Sequence, residues 1–298
     1  ARNSRAGRRR RAFMNSFWSS GKLLLCGEYW VLHGATALAV PTVLGQGLEF
    51  TESNEPLHWT AYDRTGTAWL DVPAFQDPHV GALLRAALDL GGRVPPSGHA
   101  VTHLEFDRNW GWGSSSSLTD LMAQWTGVDP MQLHFATSSG SGFDVACARA
   151  RTAIAYHKTG AKTAAWSAVS AAHWPVDHFA LVYLGAKQDS QLEVQRTRPN
   201  PSEAELEAMS AVSRSLAAAS EVGTWIDGIR EAEARTSRWI GQPKIQDRFP
   251  NVGATLKSLG AWGGDFALAV AEDPGELAYF TEHGYLCLKW SDCVPPLP

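Results

Sequence analysis

Several signals are missing from this sequence, and each absence removes a class of function. No apolar run approaches the ~20 residues of a membrane-spanning helix. The four cysteines, Cys26, Cys147, Cys287 and Cys293, form no C-x-x-C pair. No zinc ribbon or thiol redox pair is therefore encoded, and the thiols read as reduced, mostly structural groups of a cytoplasmic protein. His33, His99, His103 and His134 fall at no metal-ligand spacing and read as structural or surface side chains. With a formal net charge of −4, bulk electrostatics favour neither nucleic acid nor a membrane surface as partner. There is no internal repeat and no low-complexity linker. What remains is a chain of 298 residues, 44% hydrophobic, long enough for one large or two moderate cores. Thirteen tryptophans are many for that length, and nothing in the sequence gives them a function.

One stretch departs from the even charge. Arg2, Arg5, Arg8, Arg9, Arg10 and Arg11 make residues 1–13 a basic tail with little to bury, expected to be disordered. It lacks the apolar core of a signal peptide, and Met14 is the expected natural start. The other reading of such an arm is contact with nucleic acid or acidic lipid.

The strongest positive signal is Asn109-Trp110-Gly111-Trp112-Gly113-Ser114-Ser115-Ser116-Ser117, followed by Leu118, Leu121, Met122 and Trp125 at helical spacing. A glycine turn feeding a helix start presents free N–H groups and the positive end of the helix dipole, which suits an anion. The plain alternative is a flexible linker with a serine N-cap. No lysine follows in Walker order, and Ser116 stands where a dinucleotide fingerprint needs its last glycine. A nucleotide site here is of another kind.

Around this loop the pattern reads as mixed helix and strand. Lys22–Cys26 is a buried strand ending at Gly27, and Trp30–Leu32 and Ala37–Val40 flank a turn at His33-Gly34. Residues 47–72 alternate as antiparallel strands, with turns expected at Ser53–Pro56 and Asp63–Gly66. Val80, Leu83, Leu84, Ala87 and Leu88 make one helix face, closed by Gly91-Gly92, and Val101–Phe106 is a strand. Ser138–Gly142 is a second glycine turn, entering a small-residue helix from Phe143. Thr152–Tyr156 and Phe179–Leu184 read as strands. From Ser202 to Gly241 the pattern is helical, with a Ser202/Glu205 capping box and glycines at 223 and 228 that divide it in two. Leu259–Asp265 is a third glycine turn, leading into the strand Phe266–Val270. A soft boundary falls near Pro175.

Lys22, Glu28, Ser114 to Ser117, Asp144, Lys187 and Asp265 stand near the three turns. Phosphoryl transfer needs little more than backbone donors, an oxygen on Mg²⁺, a cation and an acid–base group. Asp144 has two readings of equal weight: a reacting carboxylate, or one favoured at a helix start by the dipole. Lys22 alone reads as a lysine at a strand end, Glu28 as the close of a turn, and Lys187 and Ser190 as a polar loop.

Taken together the segments resemble a family. Ser20–Tyr29 resembles the first motif of the GHMP kinases, Asn109–Ser117 their phosphate loop, and Lys257–Asp265 their third, glycine-rich motif. All three stand in family order. Gly140–Ala146 is similar to the acid–base loop of the mevalonate and phosphomevalonate kinases, and its Gly142-Phe143-Asp144-Val145-Ala146 resembles the Gly-Tyr-Asp-Ile-Ala signature of the short bacterial members.

The resemblance implies an α+β, two-lobed fold. A ribosomal-protein-S5-domain-2-like lobe over residues 14–177 would carry a left-handed β-α-β crossover, and residues 178–298 would form a ferredoxin-like lobe, with ATP and substrate in the cleft between. It implies Asp144 and Lys22 as catalytic groups. Gly111, Gly113, Ser114, Ser115 and Ser116 would hold the ATP phosphates, Ser115 also Mg²⁺. Glu28, Gly142, Gly263 and Gly264 would lie on substrate, with Gly260 closing the site. It implies phosphorylation of mevalonate. The alternatives are 5-phosphomevalonate, with Lys187, Arg196 and Arg198 as extra cations, then diphosphomevalonate decarboxylation, or a non-catalytic ligand sensor. Homodimers are frequent in the family. One departure matters: the metal-binding Glu of mevalonate kinases, about ten residues before the catalytic Asp, has no counterpart in Met131–Phe135, so the metal would be held either by Ser115, water and ATP alone or by another acid such as Glu28.

Overall fold

The computed structural model describes residues 14–185, 200–260, 262 and 265–298. The basic tail, Lys187, Ser190, Arg196, Arg198, Gly263 and Gly264 lie outside the described residues. The fold is α+β, with two sheets and eight helices among the described residues.

The first sheet contains β1 (Met14–Cys26), β2 (Ala37–Pro56), β3 (His58–Tyr62), β4 (Ala68–Pro73), β5 (Ser97–Leu104), β6 (Ile154–Gly160) and β7 (Thr163–Ala168). Its order is β4-β3-β5-β2-β6-β7, with β1 paired to β2. Only β3 and β5 run parallel. Helices α1 (Pro78–Asp89), α2 (Ser114–Thr126) and α3 (Pro130–Thr137) cover one face. Leu48, Phe50, Trp59, Leu83 and Leu121 fill the layer between. Asp77 caps α1 by accepting from the N–H groups of His79 and Val80, as a short carboxylate before a helix does. Helix α4 (Phe143–Ala150) follows the second glycine turn.

The second sheet contains β8 (Phe179–Tyr183), β9 (Thr255–Leu259), β10 (Phe266–Val270) and β11 (Cys287–Lys289), in the order β11-β8-β10-β9 with every neighbour antiparallel. Counted along the chain this is four-one-three-two, the ferredoxin-like arrangement. Helices α5 (Glu203–Ala218) and α6 (Val222–Ile240) connect β8 to β9, while α7 (Ala278–Glu282) precedes β11 and α8 (Trp290–Cys293) follows it. One core joins the sheets: Leu25, Trp30 and Leu38 pack in the same cluster as Leu181, Trp225 and Leu268. Trp30, Trp59, Trp112 and Trp225 are among the largest fully buried side chains, so these tryptophans serve packing. No described helix is long and apolar enough to cross a membrane.

Three local expectations change. β2 runs through Ser53–Glu55 to Pro56, because a register shift against β5 between Thr51 and Pro56 absorbs the turn-prone residues as an irregularity instead of a reversal. β7 is an additional strand. Its side chains are mostly exposed, so it carries little periodic signal. The helical segment does divide in two, and Ser202 and Glu205 do form the capping box. The break, however, falls before Val222, and Gly223 and Gly228 lie inside α6. A methyl at Gly228 would sit 2.5 Å from Leu216 Cδ2, so this glycine lets two helices approach.

Candidate active site

The chain between β5 and α2 folds as the glycines require. Gly111 and Gly113 hold φ of 66° and 88°, a region costly for side chains with a Cβ. Space is closed as well. A methyl at Gly111 would overlap Asp265 Oδ2, and one at Gly113 would lie 2.6 Å from Ser116 Oγ and 3.1 Å from Lys22 Cγ. The buried Trp112 ring packs on Phe106 and Phe266, with centroids at 5.9 and 5.5 Å, and this pins the loop from behind.

Helix α2 then starts at Ser114 with Gly113 as N-cap, no side-chain cap and no acidic residue in its first turn. Its first N–H groups and its dipole are left for an outside anion. The serine hydroxyls are used unequally. Ser116 Oγ donates to Gly113 O at 2.9 Å and Ser117 Oγ to Gln46 Oε1 at 2.8 Å. Ser115 Oγ faces His79 Nε2 at 3.2 Å. His79 was not singled out by sequence; its one signal is a place in the first turn of α1, and its pairing with Ser115 depends on tertiary structure.

Lys22 comes to the same place from β1. The β1–β2 register shifts between Ser20 and Lys22, and the Lys22 N–H donates to Trp112 O at 2.9 Å. Its ammonium donates to Gly111 O at 3.1 Å and lies 5.2 Å from the centre of the Phe143 ring. The third segment arrives as the β9–β10 turn. Gly260 has φ of 74° and Asp265, a non-glycine residue, φ of 39°. Lys22, Gly111, Gly260 and Asp265 line one crevice. Three segments far apart in sequence are thus brought together.

Asp144 lies in the first turn of α4, partly exposed, after Gly142 with φ of 85°. Gly142 is walled in. A methyl there would meet Met131 Cε at 2.8 Å, His134 Cδ2 at 3.1 Å and the Tyr156 hydroxyl at 3.2 Å. Tyr156, fully buried, donates to Ser141 O and fixes this turn from below. Asp144 Oδ1 accepts from the Val145 N–H at 3.1 Å. Burial pushes the Cys147 thiol well above its ordinary pKa, Lys22 pulls it back and Asp144 pushes it further. Both charges therefore act on one buried point beneath the site.

Glu28 reaches across to the second sheet. It is almost fully buried and accepts from Lys257 Nζ, itself fully buried on β9. Lys257 also donates to Ser258 O at 2.8 Å. Glu233 on α6 completes the cluster, taking Ser258 N at 3.0 Å and Ile245 N at 2.9 Å. Burial raises the pKa of Glu233, opposed by Lys257. The same cluster holds the Cys26 thiol at about 11, chiefly through burial. An ammonium already neutralises Glu28, so a divalent cation there would meet charge repulsion. Among the described residues no group of three or more His, Cys, Asp or Glu could hold a metal ion. Mg²⁺ commonly binds through one or two carboxylates plus substrate phosphates and water. Ser115 offers an oxygen for that mode.

No family model and no curated protein matches the sequence. Solved structures do match. A Streptococcus pneumoniae phosphomevalonate kinase in complex with phosphomevalonate and AMPPNP shares 18% identity, covering 88% of this chain and 93% of its own, with a TM-score of 0.70. A Methanococcus jannaschii mevalonate kinase shares 13%, covering 96% and 99%, at 0.67. A Lactococcus lactis galactokinase complexed with galactose shares 10%, covering 91% and 89%, at 0.61. At such identities the likeness is one of fold, the two-lobed fold of the GHMP kinases.

Proposed function

We propose that this chain, built on the GHMP kinase fold, is an ATP-dependent small-molecule kinase of the mevalonate pathway whose acceptor is mevalonate. The observation that carries this reading is the convergence of Lys22, Gly111, Gly260 and Asp265 on one crevice, with the uncapped start of α2 following Gly111 by three residues. The N–H groups at the start of α2 would hold the phosphates of ATP. Lys22 would stand against charge on the transferred group. Asp144 would take the proton of the acceptor hydroxyl as its oxygen bonds to the γ-phosphorus and the bond to the β–γ bridging oxygen breaks, releasing ADP. Ser115 would hold Mg²⁺, which when bound neutralises phosphate charge. His79 would orient the Ser115 hydroxyl.

A second acceptor, 5-phosphomevalonate, is favoured by the likeness to the phosphomevalonate kinase, which has the highest identity and TM-score of the three structures compared. An ADP-release assay with Mg-ATP separates the readings, with mevalonate, 5-phosphomevalonate and 5-diphosphomevalonate offered one at a time. Turnover on mevalonate is the expected result. Turnover on 5-phosphomevalonate alone would establish the second reading, and ATP binding without turnover on any acceptor would make the chain a sensor.

The loop itself makes a further prediction. Gly111→Ala forces a methyl into the Asp265 carboxylate at a positive φ. ATP affinity measured by calorimetry should fall at least about tenfold, and stability by about 1–3 kcal/mol. Unchanged affinity would remove Gly111 from the nucleotide site.

A further inference from the structure

Two adjacent residues at the end of the first glycine segment reach across to the second sheet, and the proposed chemistry uses neither. Glu28 is bonded to Lys257 near the end of β9. Tyr29 accepts the Trp262 N–H on its phenolic oxygen at 2.8 Å. The two contacts act at different points of one hairpin. The ion pair, with Glu233 on Ser258 N and Oγ, fixes the root of the turn. Tyr29 holds Trp262.

The backbone of Tyr29 is the second observation. Its φ is 63° and its ψ −42°, a conformation that a bulky L-residue rarely holds. Such a conformation persists only where the surroundings over-determine it, and it is a reason to look for function. Glycine would relieve the backbone at once, but glycine has no oxygen to offer Trp262. The strained tyrosine therefore exchanges local comfort for a contact across the sheets. Trp262 is held again through its indole, Nε1 donating to Pro243 O at 2.9 Å. With the turn so placed, Asp265 Oδ2 rests against Gly111.

We propose that Glu28 and Tyr29 form a clasp that ties Lys257 and Trp262 to the first glycine segment and so sets Asp265 against Gly111, with Tyr29 as a positioning residue for phosphoryl transfer. The catalytic half of this proposal rests on the kinase reading; the tether itself does not. Tyr29→Phe removes the acceptor oxygen and keeps the ring, so the fold and the ion pair remain.

The test is hydrogen–deuterium exchange of the peptide containing Trp262, measured without ligand in wild type and Tyr29→Phe, followed by steady-state kinetics. Loss of the bond from the Trp262 N–H should speed exchange about 2- to 12-fold. The effect should be confined to that peptide, with β1 and β2 unchanged. In turnover, kcat should fall about tenfold or more while KM for ATP moves less than about twofold, because the turn shapes the reacting geometry more than it holds the nucleotide. Unchanged exchange would overturn the clasp, and faster exchange with unchanged kcat would overturn the positioning role. Faster exchange in a protein that turns over no acceptor would support the tether and remove the kinase reading alone.

Discussion

Asp144→Asn should lower kcat about 10²- to 10⁴-fold while ATP binds almost as before. The amide matches the carboxylate in size, and Asp144 sits in the first turn of α4 with one oxygen on its neighbour's N–H. An amide oxygen accepts that bond too, so the turn should survive. On the proposed kinase reading, what the variant loses is the ability to accept a proton from the attacking hydroxyl, a contribution of about that size in general base catalysis. Loss of kcat with an unaltered ATP dissociation constant would place Asp144 in the transition state and not in ground-state binding. Near wild-type turnover would instead leave it as a helix-start carboxylate stabilised by the dipole.

Lys257→Met should cost about 3–5 kcal/mol of stability. The side chains of Lys257 and Glu28 are 1% and 3% exposed. Among the described residues Glu28 Oε2 has no hydrogen-bond partner, so removal of the ammonium leaves the carboxylate uncompensated in the interior. Breaking a buried pair from one side costs about that much, whereas removing both charges costs less. The double variant Glu28→Gln/Lys257→Met should therefore be more stable than Lys257→Met alone. Thermal melts of the three proteins check this. A single variant that melts like wild type would mean that water or relaxation compensates the charge.

The parts of the site that could be read from sequence are those written in local chemistry. Gly111 and Gly113 before four serines announce a helix start, and Gly142 before Asp144 announces another; both helices begin there. The Ser202/Glu205 box is likewise local. Partners separated by long stretches of chain left no such trace. Nothing around Glu28 foretells Lys257, and nothing around Gly111 foretells Asp265, because spacing encodes only contacts made within a turn or a strand pair. Gly228 shows the same limit from the other side. Its residue type suggests a helix break, yet the approach of Leu216 explains it.

The wide separation of Gly111 from Asp265 also has a consequence for synthesis. More than half the chain must leave the ribosome after the phosphate loop before the residue that rests on it exists. At ~5–20 residues per second this interval lasts about ten to thirty seconds. During it the first sheet can fold around β1 and β2, while the start of α2, the segment proposed to hold the ATP phosphates, is without Asp265 against Gly111. Polyphosphates and nucleotides in the cell would meet the nascent chain in that form. A ribosome-stalled chain ending before β9 should hold such anions weakly and release them quickly, and full retention would begin only once the β9–β10 turn has emerged.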